Sequence, residues 1–514
     1  MYTSPTGTNI QTTPKKTRQG QGKNTKFSAT ARNAARKPYR GQGKWAMKFL
    51  GLRITAHDSN ITYTNGKSVR YCSTERLYGI KHHGFGNDWQ WLDILKKWDI
   101  DINDIDAICI VSDDAIKKYD FGVPTFSIDH HYAHALSLWP LGEIPDYNFV
   151  YDGYGSNNKS CSLFKGKNLI ESYNCHDHGS IGLSMAQVGK DLNLTCDEYG
   201  EDLAGKVMGL AAFGLIDEDF YYKISKFDIS NIKQAWNYEL WDRKWDSFDI
   251  NWLQTVHEYT GDLISKKIDE IPDKIVGYSG GVAQNCVFNG KISKKVVIPP
   301  HANDCGLSLG AVEYLRMHYN QEKFDNTGFP FWQDDEIPEK PSDDTILKTC
   351  EAIADGCIVA WYQGAGEIGP RALGHRSILM NPRLPHAKDT LNNRVKHREP
   401  FRPFGASVLK EDINKYFDYN RDVPYMNVSV PVKDSDLKSI THIDQSCRIH
   451  TVEGDDCFSK LLHKYKELTG DSVLLNTSLN VGGKPIASKI WEAKELFSKK
   501  DIDKLVIGNA IIEK

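Results

Sequence analysis

The sequence predicts an α/β protein made of two successive α/β units. Two observations carry this. Strand-like runs and hairpins lead into glycine-bearing turns and then into helices, and the character of the chain breaks near residues 320–343, after which a second set of strands begins. A chain of 514 residues also exceeds what one core accommodates, so two or three domains are expected.

In chain order, "MKFLGLRI" reads as the first strand, and "TAHDSNITYTNGKSVRYCSTE" contains the turn Asn65-Gly66 between alternating segments, a hairpin. "AICIVS" and "YNFVYDGYG" are further strands, the second ending in Asp-Gly-x-Gly, and "SCSLFKGKNLIESY" is another hairpin. "KIVGYSGGVAQNCVFNGKI" reads as strand, glycine turn and helix, and "DCGLSLGAVEYLRMHY" as an amphipathic helix. The stretch "NQEKFDNTGFPFWQDDEIPEKPSDD" is polar, Pro-bearing and aperiodic, which predicts a linker. "CIVAWYQG", "DSVLLNTSLN" and "KLVIGNAIIEK" supply strands of the second unit. The expected division is an arm over 1–46, a first unit over 47–322, a linker over 323–343 and a second unit over 344–514.

Residues 1–45 contain ten Lys or Arg and no Asp or Glu, which leaves 54 basic against 67 acidic residues in the rest. An arm so rich in Gly, Ser, Thr and Gln cannot bury enough surface to fold alone and is expected to be disordered. It reads either as a solvated tail or as a nucleic-acid-binding arm that neutralises phosphates. No run approaches the ~20 apolar residues of a membrane span, so no membrane partner is expected. Eleven scattered cysteines without a CxxC pair fit reduced thiols, and with no apolar signal core the expected location is the cytoplasm.

Candidate chemistry sits at strand ends. "AHDS", "YDGYGS" and "GYSGGVAQN" place glycines or acids after strands, where backbone N–H groups can approach phosphate; with "GKVMGLAAFG", whose Lys206 is free to reach a phosphate, they point to ATP. The ordinary alternative is tight turns in a Gly-rich scaffold. In "SIDHHYAHAL", His130 and His134 lie four residues apart and share one helix face, with His131 pointing away. Such a pair can hold a metal if other ligands arrive, and Asp152 and Asp304 are the candidates. A mixed histidine and carboxylate set with an open position suits Fe(II) or a similar divalent ion. The second unit carries Arg371, Arg376, Arg383, Lys396, Arg398 and Arg402 among Gly, Pro and Phe, and "LLNTSLNVGGKPI" adds Asn, Thr and Ser donors. Arg forks and Lys point charges in that setting read as an anion pocket rather than a solvated basic face.

The segments "SIDHHYAHA", "KVMGLA", "GGVAQN", "GEIGPRALGHRSILMNPR", "REPFRPFGASVL" and "NTSLNVGGKPI" resemble the signature segments of the NodU/CmcH carbamoyltransferase family, which includes tobramycin O-carbamoyltransferase. The resemblance runs from about residue 47 to the C-terminus, in order. It implies an actin/sugar-kinase-like (duplicated RNase H-like) first unit and a YrdC-like second unit. It also implies an activity: the second unit uses carbamoyl phosphate and ATP, with Mg2+, to form carbamoyl-adenylate, and the first transfers the carbamoyl group to an acceptor hydroxyl. Position by position, Arg371, Lys396, Arg402, Arg448, Asn476 and Ser478 correspond to the carbamoyl-phosphate pocket. His130, Asp152 and Asp304 correspond to metal ligands, His130 also to a catalytic residue, and His134 to a group beside the adenylate or the metal. His57, Lys81, Lys206, Gly280, Gly281 and Asn285 fall in nucleotide-contacting segments. The sequence departs from the family pattern at Ser156, usually acidic, at "GLAAFG" and at Gln284, which leaves the acceptor open: a small molecule, a nucleoside or a nucleic acid held by the arm. Two other classes compete, an ATPase or kinase built on the first unit and a nucleic-acid-binding protein with an inactive core. The oligomeric state stays open, a dimer included.

Overall fold

The computed structural model describes residues 46–85, 90–111, 121–197 and 200–514, with four two-residue strands before them. Apart from those strands and Ala46, the expected arm over 1–46 lies outside the described residues. The described chain is a mixed α/β protein with three principal sheets.

The first sheet comprises β1 (Phe49–Arg53), β2 (Asn60–Thr64), β3 (Val69–Ser73), β4 (Ala107–Val111) and β5 (Thr125–Ile128) in the order β3-β2-β1-β4-β5. The β2–β3 hairpin turns at Gly66, whose φ of 91° is open to glycine at little cost. Helix α1 (His130–Leu136) follows β5 directly, started by Asp129, whose carboxylate accepts from Tyr132 N–H at 3.1 Å. The second sheet comprises β6 (Tyr147–Gly155), β7 (Lys159–Lys165), β8 (Asn168–Asn174), β9 (Ile275–Ser279) and β10 (Lys295–Val297) in the order β8-β7-β6-β9-β10. The two sheets repeat one plan: three antiparallel strands, with two parallel strands added beside the first of them. Helices α2 (Ile181–Asp191), α3 (Leu203–Ala211) and α4 (Ile250–Glu270) belong to the second half, and α5 (Leu307–His318) returns to pack on β1, β4 and α1.

Two glycines permit that return. A Cβ on Gly51 of β1 would meet the Ser308 carbonyl at 2.2 Å, and one on Gly310 of α5 would meet the Ala133 carbonyl of α1 at 2.0 Å. Close backbone approach at both points brings Asp304, just before α5, to the histidines of α1.

The third sheet has eight strands, β11 (Val359–Tyr362), β12 (Arg376–Met380), β13 (Gly405–Leu409), β14 (Val428–Pro431), β15 (Ser446–Val452), β16 (Val473–Ser478), β17 (Lys504–Ile507) and β18 (Ala510–Glu513). Their order is β14-β15-β13-β16-β12-β11-β17-β18, with parallel pairs only at β13–β15 and β11–β17. The expected strand "KLVIGNAIIEK" is a hairpin, β17–β18, turning at Gly508.

The stretch expected as a linker carries almost no regular structure, yet it is pinned to both units. Gln333 bridges Tyr71 of β3 and Gly366, and Asp335 pairs with Arg376 at 3.1 Å, both side chains fully buried. The units also meet directly: Asn289 donates to the Asn427 carbonyl at 2.8 Å, Arg421 to that of Ile292 at 2.8 Å, and Arg76 to those of Glu367 and Gly369 at 3.2 Å. Among the described residues no helix is long and apolar enough to cross a membrane.

Candidate active site

The site has two centres, one in each unit. In the first, α1 presents His130 and His134 on one face, as their spacing dictates, and both are fully buried. Their Nε2 atoms lie 3.1 Å apart. Asp152 Oδ2, on β6, is 3.1 Å from His130 Nε2 and 2.9 Å from His134 Nε2; Asp304 Oδ1 is 3.2 and 3.3 Å from the same two atoms. Each carboxylate has its other oxygen tied down. Asp152 Oδ1 accepts from the N–H groups of Gly153 (2.7 Å) and Gly281 (3.0 Å), and Asp304 Oδ2 accepts from Arg53 Nη2 at 2.7 Å. Burial pushes both carboxyls up, but His130 and His134, with Arg53 at Asp304, hold them well below the usual carboxylate range.

These four side chains fit a divalent ion. Two imidazole nitrogens and two carboxylate oxygens converge, and ligand atoms about 2.1 Å from one ion stand ~3 Å apart, the spacing of this cluster. His134 is placed as symmetrically as His130 with respect to both carboxylates, so all four groups are positioned to hold one ion. His131 turns away and pairs through Nδ1 with Ser162 Oγ at 2.8 Å. Ser156, where the family pattern is acidic, accepts from the His130 backbone N–H at 3.1 Å.

The residues expected at the nucleotide divide into two groups. His57 and Lys81 line a charged rim: His57 and His82 flank Asp58 at 3.3 and 3.0 Å, and Lys81 faces Asp197 (3.5 Å) and Asp202 (3.9 Å). Donating a hydrogen bond to Asp58 raises His57 to about 9, and the same carboxylate overcomes burial to raise His82 to about 9. The others have protein partners. Gly280, at φ 94°, approaches the Tyr151 backbone, and the Gly281 N–H serves Asp152. Asn285 caps a short helix through the N–H groups of Val287 and Phe288. Lys206, expected to be free, is not: it lies on α3 rather than in a glycine loop, and its ammonium meets Glu399 at 2.7 Å and Asp202 at 3.1 Å.

In the second centre, Arg371, Lys396, Arg398, Arg402 and Arg448 crowd together with few carboxylates. Burial and the charge of Arg448 bring Arg371 down to about 9. Burial, Arg398 and Arg402 drive Lys396 well down, and burial with Arg402 and Arg448 does the same to Arg398. Lys396 is held by oxygens of Ser478 (2.6 Å to its carbonyl) and Asn480 (2.7 Å to Oδ1). Asn476 donates to Ser407 Oγ at 2.8 Å, while its buried Oδ1 has no partner among the described residues. Arg371 reaches across the seam to the Gln284 carbonyl at 3.4 Å. Arg376 and Arg383 do not belong here. The first pairs with Asp335 under the face of Tyr362, and the second with Asp434 (2.9 Å) and Asp471.

Sequence reasoning missed Arg53, which shows only as an arginine ending an apolar strand, and the acid partner of Lys206. Arg398 stood in the basic stretch without being singled out from its neighbours.

Residues 350–514 match the family model described as the carbamoyltransferase C-terminus. The chain is 35% identical over 274 residues to nodulation protein NolNO of Sinorhizobium fredii, covering 47% of this chain and 40% of that protein. It is 28% identical over 450 residues to NolO of Bradyrhizobium diazoefficiens, covering 75% and 79%. A 3'-hydroxymethylcephem-O-carbamoyltransferase of Amycolatopsis lactamdurans is 32% identical over 246 residues, covering 45% of this chain and 47% of that enzyme. The matches thus span less than half of NolNO and of the cephem enzyme, and most of NolO. The chain belongs to the NodU/CmcH carbamoyltransferase family.

Proposed function

We propose that the protein is an ATP-dependent O-carbamoyltransferase that works in two steps, with the first unit of actin/sugar-kinase-like type and the second YrdC-like. In the second unit, carbamoyl phosphate with one water gives phosphate and carbamate; the carbamate oxygen attacks the α-phosphorus of ATP, which yields carbamoyl-adenylate and pyrophosphate. In the first unit an acceptor hydroxyl attacks the carbamoyl carbon, AMP leaves, and the hydroxyl proton passes to a base. The supporting observation is the pairing of two unlike centres across one seam: a buried set of two histidines and two aspartates, and a cationic pocket with few counter-charges.

The chemistry of each centre suits its half-reaction. Arg371, Lys396, Arg398, Arg402 and Arg448 would bind phosphate oxygens and offset the charge that builds as phosphate and pyrophosphate depart. His130, His134, Asp152 and Asp304 would hold a divalent ion, for which Fe(II) suits the donor set, and which when bound polarises the carbamoyl carbonyl. An imidazole of this pair that does not hold the ion would be the nearest base for the acceptor proton. The repeated plan of the first two sheets supports the duplicated RNase H-like reading. In such sheets ligands bind at the carboxyl ends of parallel strands, where Arg53, Asp152 and Gly280 lie.

The test is to incubate the protein with ATP, carbamoyl phosphate, Mg2+ and Fe(II) and a panel of acceptors: sugars, nucleosides, hydroxymethylated small molecules and polynucleotides, the last because of the basic arm. AMP formed only with carbamoyl phosphate, and a product heavier by one carbamoyl group, are expected. ADP formed without carbamoyl phosphate would instead identify a kinase or ATPase.

A further inference from the structure

The pairing of Lys206 runs against the role that its position suggests. Its side chain is only 6% exposed, and it ends against Glu399 Oε1 at 2.7 Å. Asp202 Oδ2 lies at 3.1 Å and the Thr195 carbonyl completes the shell. Glu399 in turn accepts from Thr195 Oγ1 at 2.9 Å through the same oxygen, and its Oε2 faces Arg402 at 3.5 Å. A carboxylate that gathers an ammonium, a hydroxyl and a guanidinium has the partners that a phosphate oxygen edge takes in an anion site.

Its surroundings sharpen the point. Glu399 is the only acidic residue in "NNRVKHREPFRPFGAS", a stretch that otherwise contributes Lys396, Arg398 and Arg402 to the cationic pocket. It projects from the second unit to a lysine of the first, so it crosses the seam between the two centres. Asp202 already pairs Lys206 and also faces Lys81, so Lys206 keeps a counter-charge without Glu399.

Resting on the two-step reading above, we infer that Glu399 is an internal competitor for phosphate: its carboxylate sits among Lys206, Thr195 and Arg402 as a phosphate group would, and an incoming polyphosphate must displace it. Its single charge sets a threshold. A ligand that brings several negative charges wins the site, while a simple monoanion does not. Displacement leaves Lys206 on Asp202 with its Glu399 side open to the ligand, which links occupation of the second unit's pocket to a change at the first unit's rim.

The test uses pyrophosphate and inorganic phosphate as probes, titrated calorimetrically into the full-length protein at fixed ionic strength. Glu399→Gln keeps the shape and the hydrogen-bond acceptor for Thr195 but removes the charge. It should bind pyrophosphate on the order of tenfold tighter and gain measurable affinity for inorganic phosphate. Thr195→Val removes one tether and should give a smaller gain in the same direction. Lys206→Met should weaken pyrophosphate, and the Glu399→Gln gain should shrink in the Lys206→Met background, since the two groups act as a pair. Unfolding midpoints of each variant establish that the comparison is between folded proteins. If folded Glu399→Gln and Thr195→Val bind pyrophosphate no better than the parent, Glu399 is a strut and the inference is overturned. Absence of pyrophosphate binding in every form, the parent included, overturns it as well. Tighter binding without carbamoyl-phosphate-dependent AMP would uphold the competitor while refuting the two-step reading.

Discussion

The two centres solve opposite electrostatic problems. At the first centre both carboxylates are answered: Asp304 lies between Arg53 and the histidines, and Asp152 between two backbone N–H groups and the same histidines. In the second unit positive groups face one another, and burial together with mutual repulsion lowers Arg371, Lys396 and Arg398. The first is a buried cage of paired charges, which we propose holds a cation. The second gathers like charges whose repulsion an anion would relieve. Binding sites built on unsatisfied charge lower stability until the ligand arrives, so mutation should move stability in opposite directions at the two centres.

The largest effect is expected at Asp304. Asp304→Ala leaves the Arg53 guanidinium, fully buried, without its carboxylate, and removing one partner of a buried pair costs about 3–5 kcal/mol. A fall in the urea midpoint should reveal it. The mirror case is Arg371→Met. It should leave stability unchanged or raise it by up to ~1 kcal/mol, by removing a buried like charge, while pyrophosphate affinity falls at least tenfold. If Arg371→Met destabilised the protein as much as Asp304→Ala does, the contrast between the centres would collapse.

A divalent ion should sharpen the comparison from the other side. Mn2+ or Fe(II) at ~100 times its dissociation constant should add about 2.7 kcal/mol of stability to the parent protein, and nothing to His134→Ala. An equal response of parent and variant would place the ion elsewhere.

The smallest effect concerns the rim. His57 and His82 are raised to about 9 by Asp58, so their stabilising contribution is complete below about pH 6.5 and is lost as pH rises through 9. His82→Gln should therefore flatten the alkaline limb of the melting-temperature profile between pH 6.5 and 9. A parent profile already flat across that window would contradict the pairing.

Much of this was legible in the sequence, and the residues show why the rest was not. His130 and His134 could be paired because helical spacing is local, and Asp152 could be placed because a strand ending in Asp-Gly-x-Gly is local too. Asp304 was reachable as an acid at the lip of a helix. Arg371, Arg376 and Arg383 lie within thirteen residues and look alike in sequence. Only tertiary partners separate them: Asp335 claims Arg376, Asp434 and Asp471 claim Arg383, and among the described residues no carboxylate claims Arg371. The same holds for Lys206, whose partner Glu399 is nearly two hundred residues away. Arg53 ends an apolar strand without any motif around it, and its role follows from the close approach at Gly51 and Gly310. The stretch 323–343 misled in the same way. Its polar, aperiodic composition reads as a linker, but composition carries no sign of the buried Asp335–Arg376 pair that fastens it.

If the two centres divide the labour as proposed, their partial reactions can be separated by mutation. Pyrophosphate release from ATP that depends on carbamoyl phosphate should be measured beside carbamoyl transfer in the parent protein, Arg371→Ala and His130→Ala. The account predicts that Arg371→Ala loses both activities, whereas His130→Ala keeps a substantial part of pyrophosphate release and loses transfer. Loss of transfer alone in both variants, or no carbamoyl-phosphate-dependent pyrophosphate release by the folded, metal-supplied parent, would contradict it.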